Sequence, residues 1–127
     1  MGMGVVPTQS RHVIMDLYGC DPAVLKDPER VLTAIRDGAI ATGARIVHEH
    51  VHDFGGDGAS AVCVLAESHI TIHTWPGERY ASVDCNTCGD CDPARSIEVV
   101  RASLGASRVE AHLVTRGHGK KLRMMRM

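Results

Sequence analysis

Two dipeptides, Asp27-Pro28 and Asp92-Pro93, constrain this chain more than any other feature. In each, Asp suits a helix N-cap, where its short side chain accepts free amide hydrogens. Pro suits the first helical position, where its missing N–H has no partner to lose. Behind the first pair, Leu32, Ile35 and Ala39 fall on one face, widened by Val31 and Ile40, with Gly43 just past the end. Behind the second, Ile97, Val100 and Leu104 repeat the stripe. The remainder reads as strands over residues 12–18, 45–54, 59–66, 69–75, 80–84 and 108–115, separated by turns such as Gly55-Gly56-Asp57-Gly58. The order β-α-β-β-β-β-α-β predicts an α+β fold: a two-layer sandwich with a mostly antiparallel sheet and two helices packed on one face.

A chain of 127 residues fits a single domain, 1–127. Its 14 Lys and Arg against 15 Asp and Glu give a formal charge of −1, which argues against a nucleic-acid partner held by bulk charge. The longest apolar runs, of which 61–66 is typical, are far too short to span a membrane. Residues 1–10 lack the basic start and apolar stretch of a secretory signal, so a cytoplasmic protein is expected. Residues 116–127 hold five Lys or Arg and no acid, and read as a flexible, solvated terminus.

Three constellations can carry chemistry. Cys85, Cys88 and Cys91, spaced C-x2-C-x2-C, together with His48, His50 and His52, raise the possibility of a Cys/His metal-binding module. Against it, the iron–sulfur pattern needs a fourth Cys where Asp92-Pro93 stands, and alternating histidines also describe a solvent-facing strand stripe. No metal is expected. Cys63 sits in an apolar run and reads as core, and Cys20 as a turn residue. Cys88 alone, on a loop before a helix, suits a reactive thiol.

The third constellation is Glu67-Ser68-His69-Ile70-Thr71-Ile72-His73-Thr74-Trp75-Pro76. A half-buried strand with Ile70 and Ile72 inward explains the pattern without chemistry. The chemical alternative is self-cleavage. The Ser68 hydroxyl attacks the Glu67 carbonyl and converts the amide to an ester. A base then removes the Ser68 α-proton, the Glu67 carboxylate leaves, and hydrolysis of the resulting dehydroalanine gives a pyruvoyl group.

Those ten residues, followed by Thr87-Cys88-Gly89, resemble the prokaryotic S-adenosylmethionine decarboxylase family, and element order and length agree over nearly the whole chain. The resemblance implies a proenzyme that cuts itself between Glu67 and Ser68 into a β chain, 1–67, and an α chain, 68–127. Ser68 becomes the pyruvoyl, whose carbonyl takes the substrate amine as a Schiff base and serves as electron sink for loss of CO2. It implies further that His73 is the processing base, Ser60 steadies the oxyoxazolidine intermediate, Cys88 reprotonates the product, and Phe54 stacks on adenine. The product is the aminopropyl donor of spermidine biosynthesis, and the active sites of the family lie at a dimer interface, so a homodimer of αβ protomers is expected.

One departure bears on the substrate. The family reads His-Thr-Trp-Pro-Glu, with Glu on the ribose hydroxyls, where this chain has Gly77 followed by Glu78. In an extended segment Glu78 would point to the opposite face. Asp57 adds a carboxylate beside the adenine position, which suits a smaller cationic substrate. A pyruvoyl-dependent arginine or ornithine decarboxylase is therefore the alternative expectation, with Phe54, Asp57 and Glu78 as the substrate-binding candidates in either case.

Overall fold

A computed structural model describes residues 7–127. Of the stretch read for a leader, residues 1–6 lie outside the described residues. Seven strands form one antiparallel sheet: β1 (Ser10–Tyr18), β2 (Ile46–Asp53), β3 (Ala59–Leu65), β4 (Ser68–Trp75), β5 (Tyr80–Cys88), β6 (Arg108–Gly117) and β7 (Lys120–Arg126). Their spatial order is β2-β3-β4-β5-β1-β6-β7. Three helices accompany them: α1 (Pro22–Leu25), α2 (Pro28–Ala41) and α3 (Ser96–Leu104).

Both Asp-Pro pairs cap as their chemistry requires. The Asp27 carboxylate accepts from Glu29 N–H at 3.1 Å and Arg30 N–H at 3.4 Å. That of Asp92 accepts from Ala94 N–H at 3.1 Å, opening a 3₁₀ turn, Pro93–Arg95, that runs into α3. Alternation along the strands then sorts side chains between two faces. Val13, Met15 and Leu17 of β1, Ala61 and Cys63 of β3, Ile70 and Ile72 of β4, and Val83 and Cys85 of β5 are buried in one core with Ile35 of α2 and Leu104 of α3. Among the described residues no helix covers the opposite face, which carries polar and aromatic residues such as His73 and Trp75.

Three elements depart from the sequence reading. The chain turns once as α1 before α2, with Asp21 as its own cap. Strand β5 runs four residues beyond the expected end at 84, so Cys88 is its last residue instead of a loop position. The basic tail, expected to be a frayed end, folds back as β7 onto β6, with Gly117 pairing Lys120 and His112 pairing Arg126. Every residue of β7 is exposed, so no burial pattern announced it.

Thr74, inside the His-Thr-Trp-Pro segment, is a structural rivet. Fully buried, its hydroxyl donates to the Leu25 carbonyl at 2.9 Å and accepts from Ala59 N–H at 2.9 Å, joining α1, β3 and β4. Gly58 packs so closely beneath it that a Cβ would lie 2.1 Å from the Thr74 carbonyl oxygen. Replacing Thr74 by isosteric Val keeps the volume but strands two buried backbone groups, at about 1–3 kcal/mol. Thr74→Val should therefore lower the free energy of unfolding by that amount, read as a lower denaturant midpoint at unchanged slope, while leaving helix content, measured by circular dichroism, unchanged.

Candidate active site

The β3–β4 hairpin has only Ala66 and Glu67 at its tip, with Leu65 paired to Ser68. Two-residue hairpins ordinarily use Gly or Asn where φ must be positive. Neither is present, and the positive φ falls on Ser68, at +138°. Such a conformation strains an L residue by about 1–3 kcal/mol. The tip is tied down on one side by Arg45, whose N–H donates to Glu67 Oε1 at 3.0 Å and whose carbonyl accepts from Ala66 N–H at 2.9 Å.

On the other side the end of β5 holds the Glu67 carbonyl. The Cys88 N–H donates to that oxygen at 3.0 Å and the Cys88 thiol at 3.2 Å. Two donors converge on the one carbonyl that a Ser68 hydroxyl would attack, in the arrangement that stabilises a developing oxyanion. Cys88 is 7% exposed, at the junction of two cavities. One, of about 360 Å³, is bounded by Ser68, Asn86 and Arg116. The other, of about 620 Å³, is walled by Arg11, Arg116, Lys120, Lys121 and Arg123. The basic tail thus lies against the site, a placement that sequence reading missed.

Ser60 and His73 form a second group. They are cross-strand partners on the helix-free face, with Ser82 of β5 next in the same row. The His73 ring lies between Phe54 (centroids 5.5 Å apart) and Trp75 (4.2 Å). Trp75 in turn stacks on Tyr80 at 5.2 Å, and Tyr80 meets Tyr18 at 5.4 Å. All four aromatic residues of the chain therefore join one stripe, although they come from four separate segments. Within one protomer this group does not reach Ser68. His73 is five residue steps along β4 from Ser68, about 16 Å at roughly 3.3 Å per step.

Asp57 is exposed in the turn before β3, and Glu78 is exposed in a 3₁₀ turn, Pro76–Glu78, that follows β4. The turn corrects the extended geometry assumed for Glu78. Successive side chains on a 3₁₀ turn are about 120° apart, so Glu78 is not forced to the face opposite Gly77.

The cysteines separate by strand parity. Cys85 points into the helix-covered core, where burial pushes its thiol up to about 11. Cys88, three residues on, belongs to the other face. Cys63 and Cys20 are likewise buried and raised to about 11, and burial also raises Cys91. Cys20, read as a turn residue, is wholly buried between β1 and α1. His48, His50 and His52 line the exposed side of β2. Among the described residues, no three His, Cys, Asp or Glu side chains converge as a metal site, and no helix is long and apolar enough to cross a membrane.

A serine hydroxyl beside an amide whose carbonyl is held by two donors is an arrangement suited to cleavage of the backbone there. The S-adenosylmethionine decarboxylase family model matches residues 11–117. The S-adenosylmethionine decarboxylase proenzyme of Anoxybacillus flavithermus is 40% identical over 112 residues, 88% of this chain and 90% of that protein. That of Caldanaerobacter subterraneus is 42% identical over 108 residues, 84% and 87% of the two chains. The crystal structure of the adenosylmethionine decarboxylase from Aquifex aeolicus superposes with a TM-score of 0.78 at 32% identity, covering 88% of this chain and 93% of that one. The chain belongs to the S-adenosylmethionine decarboxylase family. It is a carboxy-lyase, made as a self-processing proenzyme with a pyruvoyl group. The relatives support the enzyme reading and give no support to a non-enzymatic metal module or to arginine or ornithine as substrate.

Among the described residues Cys88 is the one cysteine whose thiol meets the Glu67 carbonyl, so the three thiols should separate by substitution. Cys88→Ala should slow cleavage about tenfold, the worth of one ordinary hydrogen bond with the backbone donor retained, and cut decarboxylation more steeply. Cys85→Ala and Cys91→Ala should retain both activities to within about threefold, read by intact mass and by CO2 release; neither residue supplies a hydrogen bond from its side chain to the Glu67 carbonyl.

Proposed function

We propose that this chain cuts itself between Glu67 and Ser68 and, as a homodimer, decarboxylates S-adenosylmethionine. The observation that carries the reading is the Glu67 carbonyl, held at 3.0 Å by the Cys88 amide and at 3.2 Å by its thiol. The residues fit the pyruvoyl group: Ser68 carries the only side chain on the scissile amide that can form the ester, and the new carbonyl would sit beside the Cys88 thiol. Bound there, the group supplies an electron sink for loss of CO2. Cys88 is then the proton donor to the product carbon, a role suited to a thiol that is almost enclosed.

Ser60 and His73 complete processing only from a second copy. They lie on the helix-free face about 16 Å along β4 from their own Ser68, a gap that two copies meeting through these faces would close. The partner's His73 then takes the Ser68 α-proton and the partner's Ser60 steadies the tetrahedral intermediate. The same contact delivers the aromatic stripe around Phe54 for stacking on adenine, with Glu78 and Asp57 at its end for the ribose and the sulfonium charge. S-adenosylmethionine is the substrate favoured by the relatives' names, which makes the decarboxylated product an aminopropyl donor of a cytoplasmic polyamine pathway.

Ser68→Ala should abolish cleavage and decarboxylation together, leaving one 127-residue mass in place of fragments 1–67 and 68–127. His73→Ala should stall as an ester that hydroxylamine cuts. Mixing the two inactive chains by co-expression is the decisive arm. In the mixed dimer the Ser68→Ala chain still carries His73, so its partner should be processed to a substantial fraction. No processing in the mixture would confine His73 to its own protomer and sink the shared site. Decarboxylation assayed in parallel with S-adenosylmethionine, arginine, ornithine and lysine should proceed only with the first.

Glu78→Gln should raise KM for S-adenosylmethionine about tenfold or more, since a hydrogen bond to a charged group contributes about 1.5–3 kcal/mol, without altering cleavage. Gly77→Glu should restore it, because a Cβ at Gly77 meets nothing within 4 Å.

A further inference from the structure

His69 has no part in the processing chemistry described so far, yet its Nδ1 lies 3.1 Å from Ser68 Oγ. Neighbouring residues of a regular strand point to opposite faces and do not touch. Here the contact accompanies the +138° φ of Ser68, which takes that residue out of regular strand geometry. The imidazole is half-buried in a row with Asn86 of β5, which pairs in turn with His12 of β1. The pairing of β4 with β3 places uncharged Val64 on its other side.

We propose that His69 is the general base of the first processing step, taking the Ser68 hydroxyl proton as Oγ adds to the Glu67 carbonyl carbon. The proposal rests on the reading of Glu67–Ser68 as the scissile bond. The step balances within the chain. The Oγ–C bond forms, the hydroxyl proton moves to Nδ1, and the carbonyl π pair moves onto the Glu67 oxygen between the two Cys88 donors. When the carbonyl re-forms, the C–N bond breaks, and the proton held by His69 passes to the departing Ser68 nitrogen. The result is an ester and a free amine, with His69 neutral again and no water or other reactant consumed. Removal of the α-proton is a later event and stays with His73.

The surroundings favour a neutral, accepting imidazole. Burial lowers the His69 pKa below its ordinary value, and the neighbouring His12 and Arg116 push the same way against Asp84. His69 is therefore unprotonated at neutral pH. The rate of ester formation should be flat above about pH 6.5 and fall as pH drops through the lowered pKa.

The test follows the 127-residue chain by intact mass after a pulse of cell-free translation. His69→Gln should slow cleavage by about 100-fold or more, the usual worth of a positioned base. It should also lose the acidic limb of the pH profile, and it should yield no hydroxylamine-labile ester. His73→Ala, blocked one step later, should accumulate that ester. A second variant separates basicity from structure. Ser68→Cys carries a thiol acidic enough to ionise without help, so Ser68→Cys/His69→Gln should form a hydroxylamine-labile thioester as fast as Ser68→Cys alone. Cleavage of His69→Gln within about threefold of wild type would overturn the proposal. So would ester build-up in that variant, or a double variant that fails where Ser68→Cys succeeds. If the wild-type chain is not cut at 67–68, the scissile-bond reading falls and takes this proposal with it. A cut wild type with an unaffected His69→Gln sinks the role of His69 alone.

Discussion

One backbone hydrogen bond, from Cys88 N–H to the Glu67 carbonyl, ties the tip of the β3–β4 hairpin to the end of β5. It exists because β4 and β5 pair in a single register, Ser68 opposite Thr87 and Ile70 opposite Cys85. A slip by one residue would turn either Ile70 and Ile72 or Val83 and Cys85 out of the core, so burial locks the register and the register places the bond. The same seam sets the Cys88 thiol against the carbonyl. The reactive geometry is thus a by-product of packing on the far side of the sheet.

The two faces divide their work accordingly. Toward the helices the sheet is apolar and closed, and the only polar member of the His-Thr-Trp-Pro segment on that side, Thr74, serves to join three elements. Away from them lie the Ser60–His73 pair, the aromatic stripe and the His69–Asn86–His12 row. Strand alternation lets neighbouring residues of one short segment serve stability and chemistry without competing for the same space.

How much of this was legible in the sequence follows from what each signal depends on. Strand alternation and the Asp-Pro caps are local, and they led to the α+β sandwich with helices on one face, now supported by the superposition on the Aquifex protein. Strand β7 was invisible because it is exposed on both sides and leaves no period-2 trace. The aromatic stripe was invisible because Tyr18, Phe54, Trp75 and Tyr80 meet only through sheet order. Ser68, Cys88 and His73 stood out through a specific run of residues, whereas His69 read as an outward strand residue. Its contact depends on one unusual φ, which composition and spacing do not encode. The separation of Ser60 and His73 from Ser68 was hidden for a related reason, since sequence proximity along a strand is distance in space.

Sheet order also decides what a cut after Glu67 leaves behind. The first fragment owns β1, β2 and β3, and the second owns β4 to β7, yet β1 lies between β5 and β6. The two pieces are interleaved along three seams: β3 with β4, β5 with β1, and β1 with β6. Neither can leave without opening the middle of the sheet, so the break costs the folded molecule little. Unfolding is another matter. The proenzyme refolds as one chain, but the mature form must reassemble from two, and it loses the high effective concentration that the covalent link provided. A cut there would make recovery of the fold depend on protein concentration, with the native state held chiefly by the slowness of prising its strands apart.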